Sequence, residues 1–164
     1  MIRYVVDGHN TIHSIPLYLE LLDRDYPSCL KRLINDCTDY CSSHSVKIVI
    51  IFDGNPPFDP PKGGGSVSVF FSGKERDADA LIVEKAVPPK STTVVTNDGA
   101  VKRMTGSEGC RQMTPGVFFQ LIASPVQLDS RRNNEGRKRR GLTGQEVSWW
   151  KREMEKELKK KRKQ

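Results

Sequence analysis

The sequence predicts an α/β fold with a central, mostly parallel sheet flanked by helices, and two patterns support this. Apolar, β-branched runs alternate along the chain with segments whose apolar residues recur every three or four positions. Three of the runs end in an aspartate that a glycine follows, at Asp7, Asp53 and Asp98. Because the carboxyl ends of parallel strands meet at one edge of a sheet, these aspartates are expected to form one anionic site.

Strands are predicted where the apolar runs are short. The run at residues 46–52 is almost entirely apolar and β-branched, as in a strand that is buried on both faces. The predicted strands are residues 2–6, 46–52, 67–71 and 92–96, with a weaker fifth near 109–113. Residues 55–66 contain four prolines and three consecutive glycines, so we expect a mobile loop there.

Helices are predicted from apolar residues at helical spacing and from capping residues. Residues 28–44 carry one apolar face, and Ser28 is placed to cap that helix. Thr114 and the proline after it begin another helix, because threonine caps well and proline is tolerated at the first helical position. The predicted helices are residues 28–44, 77–87, a short one from 98 to 104, and 114–122.

Charge is divided unevenly along the 164 residues, whose formal net charge is +7. Residues 1–124 hold 13 basic and 14 acidic side chains, whereas the rest of the chain holds 14 and 6. We therefore expect a nearly neutral globular domain at 1–124, a basic linker at 125–142 and a basic amphipathic helix at 143–164. Such a basic extension is typical of proteins that bind a polyanion, most often nucleic acid.

Composition argues against two classes of protein. No apolar stretch approaches the length of a membrane span, and the first residues lack the pattern of a secretory signal. The four cysteines form no C-x-x-C pair. We expect free thiols, a reducing cytoplasmic compartment and no membrane partner.

The acidic side chains at the predicted edge indicate a metal site. Residues 75–79 follow the third strand and open a helix, so their carboxylates should face the same edge as the strand-end aspartates. Two like charges ~4 Å apart repel by about 4 kcal/mol at an effective dielectric near ~20, so either some carboxylates protonate or a cation neutralises them. Oxygen ligands without histidine or thiolate suit Mg²⁺ or Mn²⁺, which can activate water for phosphodiester hydrolysis.

A simpler interpretation of each single aspartate stays open. Asp-Gly is a common turn pair, and an aspartate after a strand often only caps the next helix. The convergence of four acids at one edge favours a site. His9 and His13 flank the first motif, and we expect them to pack or hydrogen-bond locally.

Four segments resemble motifs of NYN domains, a group of PIN-like nucleases. They are the opening D-G-x-N motif at 5–10, a strand ending in F-D at 49–54, the acid that opens the third helix at 78–81, and a V-V-T-S-D-G-A motif at 94–100. Their order and spacing are similar to the YacP-like branch, whose bacterial members include ribosome-associated endoribonucleases. The resemblance covers residues 1 to about 124 and implies a PIN-like three-layer sandwich.

The resemblance also implies roles for individual residues. Asn10 would orient the first carboxylate or contact phosphate, and Thr96 and Asn97 would line the site. Asp77 is an extra acid at a place where the family usually has threonine. The catalytic, metal-binding acids would be Asp7, Asp53, Asp79 and Asp98, with Asp77 as a further metal ligand.

Basic side chains near the edge and in the extension are expected to bind RNA. Those near the edge are Lys62, Lys74, Arg76, Lys102 and Arg103. In the extension, dense basic clusters are expected to tether the protein to RNA or the ribosome through sequence-independent, salt-sensitive contacts, with one tryptophan placed to stack on bases. These tether residues are Arg137, Lys138, Arg139, Arg140 and Trp149.

Residues and resemblance together favour a metal-dependent endoribonuclease that acts on messenger RNA or at the ribosome. The main alternative is a non-catalytic RNA- or ribosome-binding adaptor with the same fold. A third candidate is a metal-dependent phosphatase or phosphotransferase. Those enzymes use an aspartyl nucleophile with a second acid two residues later, where this chain has His9.

Overall fold

A five-stranded parallel sheet forms the centre of the computed structural model, which describes residues 1–123. Neighbouring strands all run parallel, in the order β3-β2-β1-β4-β5. The strands are β1 (Ile2–Asp7), β2 (Val46–Phe52), β3 (Val67–Phe71), β4 (Thr92–Val95) and β5 (Arg111–Met113). The predicted α/β class and all five predicted strands are confirmed.

Helices cover both faces of this sheet. The described helices are α1 (Gly8–Ser14), α2 (Pro16–Arg24), α3 (Tyr26–Ser43), α4 (Ala78–Lys85), α5 (Gly99–Ser107) and α6 (Pro115–Ala123), with a short 3₁₀ helix at Pro89–Ser91. Val5 of β1 belongs to a buried cluster with Ile82 of α4 and Val101 of α5. The ring of the preceding residue, Tyr4, lies 5.6 Å from the ring of Phe118 in α6. Because successive strand residues point to opposite faces, this arrangement is the predicted three-layer sandwich.

The first three helices differ from the sequence predictions. Patterning assigns nothing to α1 and α2, because helices of seven and nine residues separated at Pro16 are too short to show a clear apolar period. α3 begins at Tyr26, and its N-cap is Asp25, whose carboxylate accepts the backbone N–H of Ser28 at 3.0 Å. The prediction that Ser28 is the cap is wrong, since this residue lies in the first turn and supplies one of the free N–H groups that a cap satisfies.

The remaining helix predictions hold, with small shifts at the ends. α4 starts after its N-cap Asp77 and ends at Lys85, whereas α5 continues past 104 to Ser107. Thr114 caps α6, because its hydroxyl accepts the N–H of Val117 at 3.3 Å.

Two further parts of the prediction concern the loop after β2 and the basic extension. Residues 55–66 contain no helix or strand, as expected from their prolines and glycines. The basic linker at 125–142 and the helix at 143–164, with the tether residues, lie outside the described residues. Within residues 1–123, none of the helices combines the length and the apolarity that crossing a membrane requires.

Candidate active site

Three aspartates emerge at the same edge of the sheet. Asp7 is the last residue of β1 and lies in register with Ile51 of β2, so Asp53 leaves the sheet just beside it. β4 lies on the other side of β1, and Asp98 follows it and begins α5. The parallel order of these strands therefore brings together three acids that are roughly 45 residues apart in sequence.

α4 adds Asp77 and Asp79 to this edge. Asp77 is the N-cap of α4, and its carboxylate accepts the N–H of Asp79 at 3.1 Å. The pKa of Asp79 is raised, first by partial burial and then by four neighbouring carboxylates, those of Asp77, Asp98, Asp7 and Asp53. All five aspartates therefore share one electrostatic environment, which we call the acidic edge.

Asp7 is half-buried, and both of its carboxylate oxygens accept hydrogen bonds. One carboxylate oxygen accepts the N–H of Asn10 at 3.2 Å, and the other accepts the hydroxyl of Thr96 at 3.0 Å. Burial raises its pKa, the two hydrogen bonds lower it, and the charges of Asp98 and Asp53 raise it further. The net direction is upward, so the folded protein holds a proton on Asp7 more tightly than the unfolded chain does.

Thr96 joins the first and the fourth acid through a single oxygen. Its hydroxyl donates to Asp7 and accepts the backbone N–H of Asp98 at 3.0 Å, and the residue is fully buried. One oxygen of Asp98 accepts the N–H groups of Ala100 and Val101, at 2.8 and 3.1 Å, as the cap of α5. Thr96 thus positions both acids.

Asp53 is exposed, and two side chains from distant segments position it. Its carboxylate accepts the hydroxyl of Ser72 at 2.9 Å, and the same hydroxyl accepts the N–H of Gly54 at 2.9 Å. Its own backbone N–H donates to Nδ1 of His9 at 2.9 Å. Gly54 and Gly73, both with positive φ, form an antiparallel bridge beside these hydrogen bonds. We call the contacts that Ser72 and His9 make with Asp53 the clamp.

His9 is held between aromatic rings and takes part in the clamp as an acceptor. Its ring stacks on Tyr26 with centroids 6.1 Å apart and meets Phe52 edge-on at 5.7 Å. Burial lowers its pKa, against the charge of Asp53, which raises it. A neutral ring leaves Nδ1 free to accept the Asp53 N–H. The expectation of local packing is therefore correct for His9, but its bond to a residue 44 positions away was not anticipated.

Gly8 is required where α1 begins against β2. A β-carbon at this position would lie 2.4 Å from the Phe52 ring and 2.9 Å from the carbonyl oxygen of Ile51. Any larger residue would push the first turn of α1, with Asp7 and His9, away from the neighbouring strand. The glycine of the first motif is therefore explained by close packing.

Asn10 contacts the first carboxylate through its backbone, and its side chain contacts another segment. Its backbone N–H binds Asp7, whereas its side-chain oxygen accepts the N–H of Asn97 at 2.7 Å. The Asn97 amide in turn donates to Ser14 at 3.2 Å. Because the first turn of α1 aims its N–H groups at Asp7, the Asn10 side chain is free to tie α1 to the loop after β4.

A family model matches nearly the whole chain. The family described as the YacP-like NYN domain matches residues 4–163. The chain belongs to this family. The match extends beyond the residues on which the sequence resemblance rests, into the basic extension.

Solved structures show the same fold. Two crystal structures of Rae1 (YacP) from Bacillus subtilis, the second a tryptophan-to-leucine mutant, are 20% identical to this NYN protein, with TM-scores of 0.64 and 0.62. Each alignment covers 74% of this chain, and 74% and 75% of the respective Bacillus subtilis chains. At this identity the likeness establishes the fold. No curated protein matches the chain.

The acids of the NYN domain also serve as helix caps, as the simpler interpretation anticipated. Asp7, Asp77 and Asp98 are the N-caps of α1, α4 and α5. Capping uses one oxygen of Asp98 and one of Asp77, so it does not by itself satisfy both oxygens of either side chain. Capping and ligand binding are therefore compatible at these positions.

The donor set fits Mg²⁺ or Mn²⁺ in type and charge. All five side chains offer carboxylate oxygen, and within residues 1–123 none of them forms an ion pair with a basic side chain. Among these described residues, no three His, Cys, Asp or Glu side chains form a preassembled metal cluster. Mg²⁺ does not require one, since it is commonly held by one or two carboxylates, waters and substrate phosphates.

The basic side chains expected at the edge fall into two groups. Lys62, Lys74 and Arg103 are exposed and Lys102 is half-buried. Arg76 instead pairs with Glu84 at 3.0 Å on the surface of α4. The expectation that Arg76 contacts substrate is weakened, because its guanidinium already has a carboxylate partner.

Proposed function

We propose that this NYN protein is a metal-dependent endoribonuclease that hydrolyses phosphodiester bonds of RNA. Family membership supports a nuclease-type, RNA-related function. The observation that carries the proposal is the acidic edge, where burial first and then neighbouring carboxylates raise the pKa of Asp7 and Asp79, without a basic partner in the described part of the chain. Such an arrangement is unfavourable by itself and is relieved by a bound cation. The catalytic residues would be Asp7, Asp53, Asp79 and Asp98, with Asp77 beside them.

The metal would supply water activation and charge neutralisation at the phosphate. The chain itself fixes the carboxylates. Thr96 and the backbone of Asn10 orient Asp7, while Ser72 and His9 position Asp53. Because these partners come from three separate segments, the oxygens are pre-positioned, which reduces the reorganisation needed when the site is loaded.

Protons and metal compete for the acidic edge. The raised pKa of Asp7 means that this carboxyl gives up its proton at a higher pH than an isolated aspartate does. Since a carboxylate must be deprotonated to bind a cation, Mg²⁺ or Mn²⁺ affinity should rise with pH through the acid range. This pH dependence is one signature of the proposed site.

RNA would be held by basic side chains around the acidic edge and by the extension. Lys62, Lys74, Lys102 and Arg103 are available to phosphates, and the exposed Asn97 lines the site. Thr96 is fully buried and acts through Asp7 and Asp98 instead. The tether formed by Arg137, Lys138, Arg139, Arg140 and Trp149 would bring the domain to messenger RNA or the ribosome in the cytoplasm. Replacing its four basic residues by alanine should lower the salt slope of RNA binding by about 3, since each phosphate contact contributes roughly 0.7–0.9.

Cleavage of labelled RNA with Mn²⁺ tests the proposal. Asp7→Asn and Asp98→Asn should each reduce cleavage by more than about 100-fold, because losses of 10- to 100-fold are already typical of groups that only support a metal ligand. Asparagine also caps helices well, so both variants should fold. Asp23→Asn, at an exposed position of α2, is the matched control and should cleave normally. Full cleavage by both test variants would overturn the assignment.

The adaptor remains the second candidate, because the described residues hold no preassembled cluster of three metal ligands. An adaptor would bind RNA with the same salt sensitivity and cleave none. The same experiment separates the two functions, since wild-type protein with intact RNA binding and no cleavage under any divalent ion would establish the adaptor.

A further inference from the structure

Phe58 is an aromatic side chain held entirely in water. Its exposure is 107% of the reference value, the highest among the exposed large apolar residues of the described chain. Burying a phenylalanine side chain usually stabilises a protein by roughly 1.5–3 kcal/mol, and this ring contributes none of that to the fold. Its position therefore calls for a use outside the folding of the domain.

The loop around Phe58 is held at both ends, and prolines restrict the backbone next to the ring. Prolines at 56, 57, 60 and 61 flank it on both sides, and they restrict their own φ and the residues before them to extended conformations. At one end, Gly54 bridges to Gly73. At the other end, Gly63 approaches Val67 so closely that a β-carbon would lie 2.1 Å from its carbonyl oxygen. Presenting the ring in this way costs little conformational entropy on binding.

Phe58 lies in the loop that leaves the acidic edge, five positions after Asp53. The loop begins at that edge, directly after β2, and ends at the opposite edge of the sheet, where the carbonyl oxygen of Ser66 accepts the N–H of Ile48 at 3.0 Å. The Cα atoms of Phe58 and Asp53 are at most ~18 Å apart, because they are five positions apart in sequence. A strand that places a phosphate at Asp53 is therefore long enough, within a few nucleotides, to bring a base to the ring.

We propose that Phe58 stacks on an unpaired base of RNA bound at the acidic edge. The inference rests on the proposed function, because it takes RNA as the ligand of the acidic edge. Every base offers a flat face to an aromatic ring, so this contact recognises an unstacked strand without reading its sequence. A paired base inside a duplex has both faces covered by its neighbours and cannot take this place.

The charged side chains of the loop favour a base at Phe58 and a phosphate near Lys62. Asp59 directly follows the ring and repels a phosphate there, whereas the exposed Lys62 attracts one. A strand whose base lies on Phe58 and whose backbone passes Lys62 satisfies both side chains. A protein partner docking on this one ring would be a different explanation, and the test below separates them.

The experiment measures binding of full-length protein to an oligoribonucleotide that carries 2-aminopurine, in EDTA so that no cleavage occurs. Phe58→Ala should weaken binding of the single strand by about 5- to 150-fold and should remove the fluorescence change of the stacked base. Phe58→Trp should preserve both. Binding of the same sequence as a duplex should be unchanged by either substitution. Leu19→Ala, at an exposed position of α2, is the control and should bind normally.

Equal single-strand affinity of Phe58→Ala and wild type would overturn the inference, as would equal losses for single strand and duplex. A loop that binds a protein instead would give the first of these results. Because the assay needs neither metal nor cleavage, its outcome is independent of the Asp7→Asn cleavage test. Stacking without cleavage would leave this inference standing and remove the endoribonuclease, whereas cleavage without stacking would do the reverse.

Discussion

The two sides of the acidic edge are built in different ways. On the side of β1 and β4, Asp7 is half-buried, and Thr96 links it directly to Asp98. On the side of β2 and β3, Asp53 is exposed, and His9 and Ser72 position it from distant segments. The first side determines the protonation of Asp7, because burial and neighbouring carboxylates raise the pKa of this carboxyl. The second side determines where the Asp53 carboxylate lies. A cation site needs both, and each can be altered separately.

The largest effect is expected on the charged side. Asp7→Asn should abolish cleavage and yet make the metal-free protein more stable at neutral pH. Because the folded pKa of Asp7 is raised above 3.8, its favourable contribution is fully present below that value and is lost as pH rises through the folded pKa. At neutral pH the Asp7 carboxylate therefore carries a partly buried negative charge that destabilises the metal-free fold, and asparagine at this position carries no charge. Urea unfolding in EDTA should show a gap in the free energy of unfolding that is open at pH 7 and closes in acid.

Added Mn²⁺ should reverse that order. Wild type gains stability by binding the ion in its folded state, and Asp7→Asn gains much less. A variant that is less stable than wild type in EDTA at pH 7 would show that Asp7 serves mainly as a helix cap.

On the positional side, Ser72→Ala should lower Mn²⁺ affinity by about 10- to 100-fold, which is typical for loss of a group that orients a metal ligand. The substitution removes the donor to Asp53 and the acceptor of the Gly54 N–H together. Isothermal titration with Mn²⁺ measures the change. Ser68→Ala, at an exposed position of β3, is the matched control, and equal affinities of the two variants would contradict the role of Ser72.

His9 should show a smaller effect that a conservative substitution rescues. His9→Leu removes the acceptor of the Asp53 N–H and should weaken Mn²⁺ binding by about 10-fold, the lower end of that range. His9→Asn places an oxygen near the position of Nδ1 and should restore most of the affinity. If leucine and asparagine behave alike, the ring serves only to pack between Tyr26 and Phe52.

The smallest effect on RNA binding is expected for Arg76, which forms an ion pair with Glu84, and Lys102 serves as the comparison. Lys102→Ala should reduce the salt slope of RNA binding by about 0.7–0.9, as for loss of one phosphate contact. Arg76→Ala should leave that slope unchanged and alter stability by less than about 1 kcal/mol, because its ion pair with Glu84 is exposed. Filter binding at several salt concentrations gives both slopes. A lower slope for Arg76→Ala than for wild type would show that Arg76 contacts RNA.

The comparison also shows how far sequence reasoning reaches. The strand-end pattern located Asp7, Asp53 and Asp98, because a buried strand that stops on an acid is visible without knowing its neighbours. The family resemblance added Asp79. Neither indicated Ser72, since its role depends on the bridge between Gly54 and Gly73, which forms only when β2 and β3 are side by side.

Sequence patterns do not predict the two short helices, the cap of α3 or the partner of the Asn10 side chain. The apolar period does not reveal α1 and α2, because neither helix is long enough to show one, and the cap of α3 in the fold is Asp25, three residues before the predicted Ser28. The family resemblance implies that Asn10 orients the first carboxylate or contacts phosphate, but it does not indicate where the Asn10 side chain goes. In the fold it binds Asn97, 87 positions away, and only the backbone N–H meets Asp7.

Binding of Mn²⁺ to the whole protein tests the acidic edge most directly. Electron paramagnetic resonance counts the free ion as protein is added, with Mg²⁺ as competitor. We expect wild type to bind one or two ions that Mg²⁺ displaces, and the Asp7→Asn, Asp98→Asn double variant to lose that binding while staying folded. Undiminished Mn²⁺ binding by the folded double variant would contradict the account.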